Sequence, residues 1–151
     1  MMSRLGVWFM GVLARVPLPV LRAMGAALGR VLFVLVVPRR KVALRNLELC
    51  FPQASVEQRT QWARESFIVF CQTWLDRSWL WSAPQSVVEQ RVKLQGAVHE
   101  LDGDVPAIVF APHFCGLDAG GLVLPLRTSR AFTSIFSTRP DPVIDAWFMA
   151  G

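Results

Sequence analysis

The sequence predicts an α/β protein: membrane-interface helices and a helical region at the amino end, then part of a mainly parallel sheet with helices on both faces. Residues 107–111 form a short apolar run of the kind found in strands buried on both faces, and Pro112 ends it because proline donates no backbone hydrogen bond. A predicted helix at 116–126 and a predicted strand at 131–136 follow. Strand, helix and strand at this spacing indicate a parallel, right-handed crossover.

The amino-terminal segment, residues 1–37, is apolar but interrupted by arginines. No apolar run is longer than residues 5–14, about half the length that a membrane-spanning helix needs. A signal peptide is disfavoured because no small-residue cleavage site stands in a polar setting. We predict two helices, broken at Pro17-Leu18-Pro19, that lie in the membrane interface with arginines directed to headgroups. One tilted span and a helix buried against the rest of the chain are the alternatives.

The distribution of charge indicates the kind of partner, and the cysteine content indicates whether disulfides or a zinc site are expected. Residues 1–45 contain eight Lys or Arg and no acid, whereas the rest of the chain has eight bases against eleven acids. This asymmetry favours an anionic membrane surface over nucleic acid. The three cysteines, Cys50, Cys71 and Cys115, are odd in number and lack metal-type spacing. A disulfide framework and a zinc site are therefore not expected, and no metal or cofactor is predicted.

Local signals place the remaining elements. Pro38 opens a basic helix over 39–49, and a capping box of Ser55 and Gln58 starts the longest helix. Apolar residues recur along that helix at a spacing that predicts one buried face: Phe67, Phe70, Cys71, Trp74 and Leu75. We also predict a helical turn at 85–89, strands at 91–94 and 106–111, a short helix at 97–101 and a helix opened by Asp141-Pro142.

A candidate active site follows the predicted central strand. His113 would lie at the carboxyl end of that strand, and Asp118 would fall in the first turn of the next helix. Such a pair can deprotonate a hydroxyl, because the carboxylate orients the imidazole and steadies its charged form. The spacing is weak by itself, since His99 also has an aspartate, Asp104, five residues on, in a polar surface stretch. A histidine that only caps strand and helix is the structural alternative.

Three ordered motifs carry a family resemblance that covers nearly the whole chain. Residues 38–52, residues 63–67, and Pro112-His113-Phe114 with Asp118 resemble the bacterial lipid A biosynthesis lauroyl/myristoyl acyltransferases. These belong to the glycerolipid acyltransferase superfamily, whose signature is a histidine followed five residues later by a carboxylate. The resemblance implies that His113 and Asp118 are catalytic. It also implies acyl transfer from acyl carrier protein to a hydroxyl of a membrane glycolipid, a lipid A precursor, at the cytoplasmic face of the inner membrane.

The same resemblance implies the domain organisation. Residues 1–37 would be membrane-associating helices, and residues 38–151 the amino-terminal part of the catalytic domain, an incomplete acyltransferase fold. Family members continue for a comparable length and carry an arginine-bearing segment that positions the phosphate of the substrate, so we expect a fragment. Arg139, Arg127 and Arg130 are the basic residues near the predicted catalytic strand and are weak candidates for binding phosphate.

Two other functions remain open from the residues alone. Cys115, near a helix start and two residues after His113, has the position of an activated nucleophile, as in a cysteine thioesterase. As the structural alternative, Cys115 is a small packing residue. A membrane-bound protein without catalytic activity is the third possibility.

Overall fold

The computed structural model describes residues 2–101, 103, 105–128, 131–134 and 137–150, and it is helical. In these residues the chain forms seven α-helices and one 3₁₀-helix, Val98–Leu101. The α-helices are α1 (Met2–Leu13), α2 (Leu18–Leu35), α3 (Val37–Cys50), α4 (Val56–Leu80), α5 (Gln85–Arg91), α6 (Leu117–Arg127) and α7 (Pro142–Ala150).

The predicted parallel sheet is wrong: the described residues contain no β-strand. The segment predicted to be the central strand is exposed: Ile108 is 98% and Phe110 is 89% accessible to solvent. Residues 106–109 and 131–133 border one cavity of about 410 Å³, but no backbone hydrogen bond joins these two described segments. The prediction failed because an apolar run indicates only that its side chains favour burial. A strand also needs a neighbouring strand to pair with its backbone N–H and C=O groups.

The predicted helices are largely confirmed, because the ends of a helix depend on residues that are close in the sequence. The predicted break at Pro17-Leu18-Pro19 separates α1 from α2, which has a proline in its first turn. Ser55 Oγ accepts a hydrogen bond from the backbone N–H of Gln58 at 3.2 Å, which confirms the start of α4. The helices expected at 39–49, 85–89, 97–101 and 116–126 are present as α3, α5, the 3₁₀-helix and α6.

Contacts divide the chain into two compact units. The middle unit is residues 16–76, and the terminal unit combines residues 1–15 with residues 77–151. This division follows spatial contacts. The predicted boundary between residues 37 and 38 separates functional segments and remains a prediction.

In the middle unit, α2 packs on α4 through two glycines. A Cβ atom at Gly29 would lie 2.5 Å from the Cα of Ile68, and one at Gly25 would lie 2.8 Å from the Cα of Gln72. Real side chains essentially never approach backbone so closely. The two helices therefore approach each other at a separation that only glycine permits at these positions.

Polar contacts on one side of the two glycines and an aromatic contact on the other continue the packing of α2 on α4. The side chain of Gln72 donates a hydrogen bond to the carbonyl of Arg22 at 3.0 Å, and Arg22 pairs with Asp76 at 3.1 Å. Towards the other end, the rings of Phe33 and Phe67 meet edge to face, with centroids 5.5 Å apart. One face of α2 is thus fixed against α4 along most of its length.

The predicted buried face of α4 is only partly buried. Cys71 and Leu75 are buried, but Phe70 is 57% and Trp74 is 46% exposed. The reason is that α2 covers the adjacent row of α4, which contains Gln72, rather than the row of Phe70 and Trp74. Apolar spacing identifies a stripe, but the packing partner decides which part of it is covered.

In the terminal unit, α1 contacts α7 through a polar cap. The hydroxyl of Ser3 donates a hydrogen bond to the carboxylate of Asp141. That carboxylate also accepts hydrogen bonds from the N–H groups of Val143 at 2.9 Å and Ile144 at 3.1 Å, which confirms the predicted helix start at Asp141-Pro142. These bonds, that of Ser3 foremost, hold the pKa of Asp141 below its usual range. They also fix the first turn of α7.

Candidate active site

The candidate site is organised by the turn that starts α6. Gly116 adopts a left-handed conformation with φ of +88°, which glycine reaches without a steric penalty, and α6 begins at Leu117. Asp118 lies in the first helical turn, as predicted. A carboxylate is favoured there by the partial positive charge of the helix amino end.

His113 lies before this turn and is exposed. Within the described part of the chain, its ring forms no hydrogen bond or ion pair, so the expected contact with Asp118 is not made. The structure thus places the two predicted catalytic residues on either side of one turn without joining them.

Asp118 is bound instead by an arginine that the sequence did not single out. The Nε of Arg77 lies 2.8 Å from Oδ2 of Asp118. The side chain of Arg77 is 26% exposed and that of Asp118 is 30% exposed. Arg77 belongs to the last turn of α4. A charge-assisted hydrogen bond of this length fixes the carboxylate.

Aromatic rings surround the guanidinium of Arg77. Its Cζ lies 5.7 Å from the ring centroids of both Trp81 and Phe148. Trp81 in turn meets Trp147 at 4.6 Å and Phe148 at 4.3 Å, in edge-to-face geometry. Trp81 therefore belongs to an aromatic cluster beside the candidate site.

The predicted phosphate-binding arginines have different surroundings. Arg139 stacks on Phe148 with its Cζ 3.2 Å from the ring centroid, and its backbone N–H donates to Oδ1 of Asp145 at 2.7 Å. Arg127, the last residue of α6, donates to the carbonyl of Glu89 at 3.1 Å. Arg130 lies outside the described residues. Arg139 is thus linked, through Phe148, to the ring cluster around Arg77.

The cysteines differ in access. Cys50 and Cys115 are exposed, whereas Cys71 is buried, and this burial raises the pKa of its thiol. Cys115 lies in the turn between His113 and α6. In the described residues, no group of three or more His, Cys, Asp or Glu side chains is arranged to hold a metal ion.

Sequence reasoning missed Arg77 and Phe148 because their partners are far away in the chain. Arg77 is 41 residues from Asp118, and no local spacing relates them. The available signals were weaker: an arginine in the last turn of a long helix, and tryptophans both at 79–81 and at 147.

Comparisons with known proteins agree on one family. The chain matches the model of bacterial lipid A biosynthesis acyltransferases over residues 1–151. It is 31% identical, over 126 residues, to the lipid A biosynthesis palmitoleoyltransferase of Escherichia coli K12, covering 79% of this chain and 41% of that protein. The lauroyltransferase of the same strain is 23% identical, with 93% of this chain and 46% of the relative covered.

A lipid A biosynthesis acyltransferase of Haemophilus influenzae is 25% identical, with 93% of this chain and 45% of the relative covered. The chain therefore spans less than half the length of these curated relatives. No solved structure matches it.

Proposed function

Since the chain belongs to the bacterial lipid A biosynthesis acyltransferase family, we propose that it transfers a fatty acyl group to a hydroxyl of a lipid A precursor. The observation that supports this most directly is the turn at Gly116, which places Asp118 in the first turn of α6, close in sequence to an exposed His113. The relatives' names specify palmitoleoyl and lauroyl transfer in lipid A biosynthesis. The proposed donor is the acyl thioester of acyl carrier protein.

In the proposed reaction, His113 is the general base. Its imidazole takes the proton from the acceptor hydroxyl as the oxygen attacks the thioester carbonyl. The tetrahedral intermediate then collapses, the carbon–sulfur bond breaks, and the departing thiolate receives the proton from the imidazolium. Asp118 stabilises that imidazolium, which requires its free Oδ1 to meet the ring as substrate binds. No acyl-enzyme forms.

The start of α6 supplies candidate donors for the oxyanion. The N–H of Leu117 already bonds to the carbonyl of Phe114, and that of Ala119 to the carbonyl of Gly116. Among the described residues, the N–H groups of Cys115 and Gly116 have no such partner. In the proposed reaction these two N–H groups stabilise the negative charge that develops on the carbonyl oxygen.

A phosphate of the acceptor is the proposed partner of Arg139, Arg127 and Arg130. Arg139 is the strongest of the three candidates, because its stacking on Phe148 links it to the ring cluster around Arg77. Arg127 already donates a hydrogen bond to a backbone carbonyl. Arg130 remains a predicted phosphate-binding residue.

The proposed location is the cytoplasmic face of the inner membrane, with α2 as an anchor. By length and composition, α2 is the one helix in the described residues that could cross a membrane. However, α2 is fixed against α4, whose Arg64 and Glu65 are exposed, and a spanning α2 would bring these charges into hydrocarbon. An in-plane anchor avoids this and leaves to lipid the exposed apolar side chains of α2: Val20, Met24, Leu28, Val31, Val34 and Leu35.

The test of the proposed chemistry compares three variants with acyl carrier protein as donor and a lipid A precursor as acceptor. His113→Ala should lower turnover by about a hundredfold to ten-thousandfold with little change in donor affinity. Asp118→Asn should also lower turnover, because the amide no longer balances the imidazolium. Cys115→Ala should leave it unchanged.

The same experiment distinguishes the alternative functions. Loss of activity in Cys115→Ala, together with an acyl group trapped on Cys115 of the parent protein, would indicate a cysteine thioesterase instead. Absence of acyl transfer by the parent and by every variant would support a membrane-binding protein without catalytic activity.

A further inference from the structure

We propose that Arg77 is a positioning residue for acyl transfer: it holds Oδ2 of Asp118 and so leaves Oδ1 directed to His113 when substrate binds. This inference rests on the proposed function of Asp118. It adds a residue that neither the sequence motifs nor the comparisons indicate, since Arg77 is 41 residues before its partner.

The geometry of the ion pair supports a positioning role. The contact is made through Nε of Arg77 to a single carboxylate oxygen at 2.8 Å. It joins the last turn of α4 to the first turn of α6. A carboxylate held at one oxygen by a helix-borne arginine is restrained in direction, while the other oxygen remains available to accept a hydrogen bond from an imidazole.

Arg77 is itself held before any substrate arrives. The rings of Trp81, from the same helix, and of Phe148, from α7, each lie 5.7 Å from its Cζ. Phe148 and Trp147 pack on Trp81 edge to face, and the first turn of α7 is fixed by the cap that Asp141 forms. The guanidinium is therefore held between two rings and the carboxylate of Asp118.

Partial exposure makes this restraint matter for turnover. The side chain of Asp118 is 30% exposed, so without Arg77 the carboxylate would be free to turn towards water. A small change in the direction of an orienting group typically lowers the rate more than it weakens substrate binding. Loss of Arg77 should thus reduce kcat and leave the KM values of donor and acceptor nearly unchanged.

A double-mutant cycle on the full chain tests the proposal. Arg77→Gln should lower kcat by about 10- to 100-fold, the loss typical of outer-shell residues that orient metal ligands. If Arg77 acts only through Asp118, the double variant Arg77→Gln/Asp118→Asn should be no slower than Asp118→Asn alone. Arg77→Lys keeps the charge without the planar fork, so it should lose less, and that loss should also vanish in the Asp118→Asn background.

Arg91→Gln is the matched control. Arg91 also stacks on a tryptophan, with its Cζ 5.0 Å from the centroid of Trp79, but no ion pair joins it to a described carboxylate. This variant should keep the wild-type kcat. Thermal unfolding of each variant, followed by circular dichroism, separates loss of fold from loss of turnover, and Arg77→Lys completes the cycle if Arg77→Gln does not fold.

The outcomes are distinct. Wild-type kcat in the Arg77 variants, or fully multiplicative losses in the double variant, would overturn the positioning role while the proposed function stands. A raised KM for the acceptor with unchanged kcat would also overturn it, because that result would make Arg77 a substrate contact. Full turnover by Asp118→Asn, or no acyl transfer by the parent, would instead overturn the proposed function and the positioning role with it.

Discussion

Adding one methyl group at Gly29 should destabilise the middle unit, although the same change usually stabilises a helix. The Cβ atom of Gly29→Ala would lie 2.5 Å from the Cα and 2.7 Å from the N of Ile68, and 2.7 Å from the carbonyl oxygen of Phe67. All three are backbone atoms of α4, so no side chain can rotate away to make room. The helices would have to separate by roughly 1 Å, which loosens the contacts on either side.

The expected magnitude follows from two opposing terms. Replacing glycine by alanine inside a helix gains about 1 kcal/mol of helix propensity. Overpacking typically costs about 1–3 kcal/mol, and a clash with backbone lies at the upper end or beyond. The net loss should be about 1–2 kcal/mol, which for a protein of this size lowers Tm by roughly 2–8 °C.

Gly6→Ala is the matched control. Gly6 is exposed in the interior of α1, and a Cβ atom there would meet nothing within 4 Å. This variant should gain about 0.5–1 kcal/mol. Urea unfolding of the purified protein in mild detergent, followed by circular dichroism, gives both values. A Gly29→Ala variant as stable as the parent would refute the close packing of α2 on α4.

Three further predictions concern thiols, acid and lipid. A small thiol reagent should modify the exposed Cys50 and Cys115 quickly and the buried Cys71 slowly, so three equally fast thiols in a mass spectrometric time course would contradict the packing. The cap at Asp141 has a lowered pKa, so its stabilisation is present above the unfolded pKa of about 4 and is lost as pH falls through the folded value. Asp141→Asn, which keeps a capping oxygen, should therefore unfold with less dependence on pH in this acid range, and an unchanged acid profile would argue against the cap. The full chain should sediment with anionic vesicles, and replacing the exposed Val31 by Asp should weaken that binding without unfolding the protein; equal binding by parent and variant would exclude this face of α2 as the anchor.

Local chemistry explains which helices the sequence predicted correctly. The proline at the start of α2, the hydroxyl of Ser55 before α4 and the carboxylate of Asp141 before α7 act within one turn of themselves. A cap satisfies N–H groups two or three residues away, so its effect is visible in a short window of sequence. The placement of Asp118 in the first turn of α6 follows from the same logic.

Motifs at 38–52 and at His113 with Asp118 were enough to identify the family, and local signals were enough to predict most helix ends. The folded structure was needed to show that residues 106–111 have no strand partner among the described residues, that the glycines of α2 pack against α4, and that Arg77 binds Asp118. The physical reason is the range of the interactions. A cap or a turn is formed by neighbours in the chain, whereas a β-ladder, a helix contact or an ion pair between helices depends on groups that only the folded chain brings together.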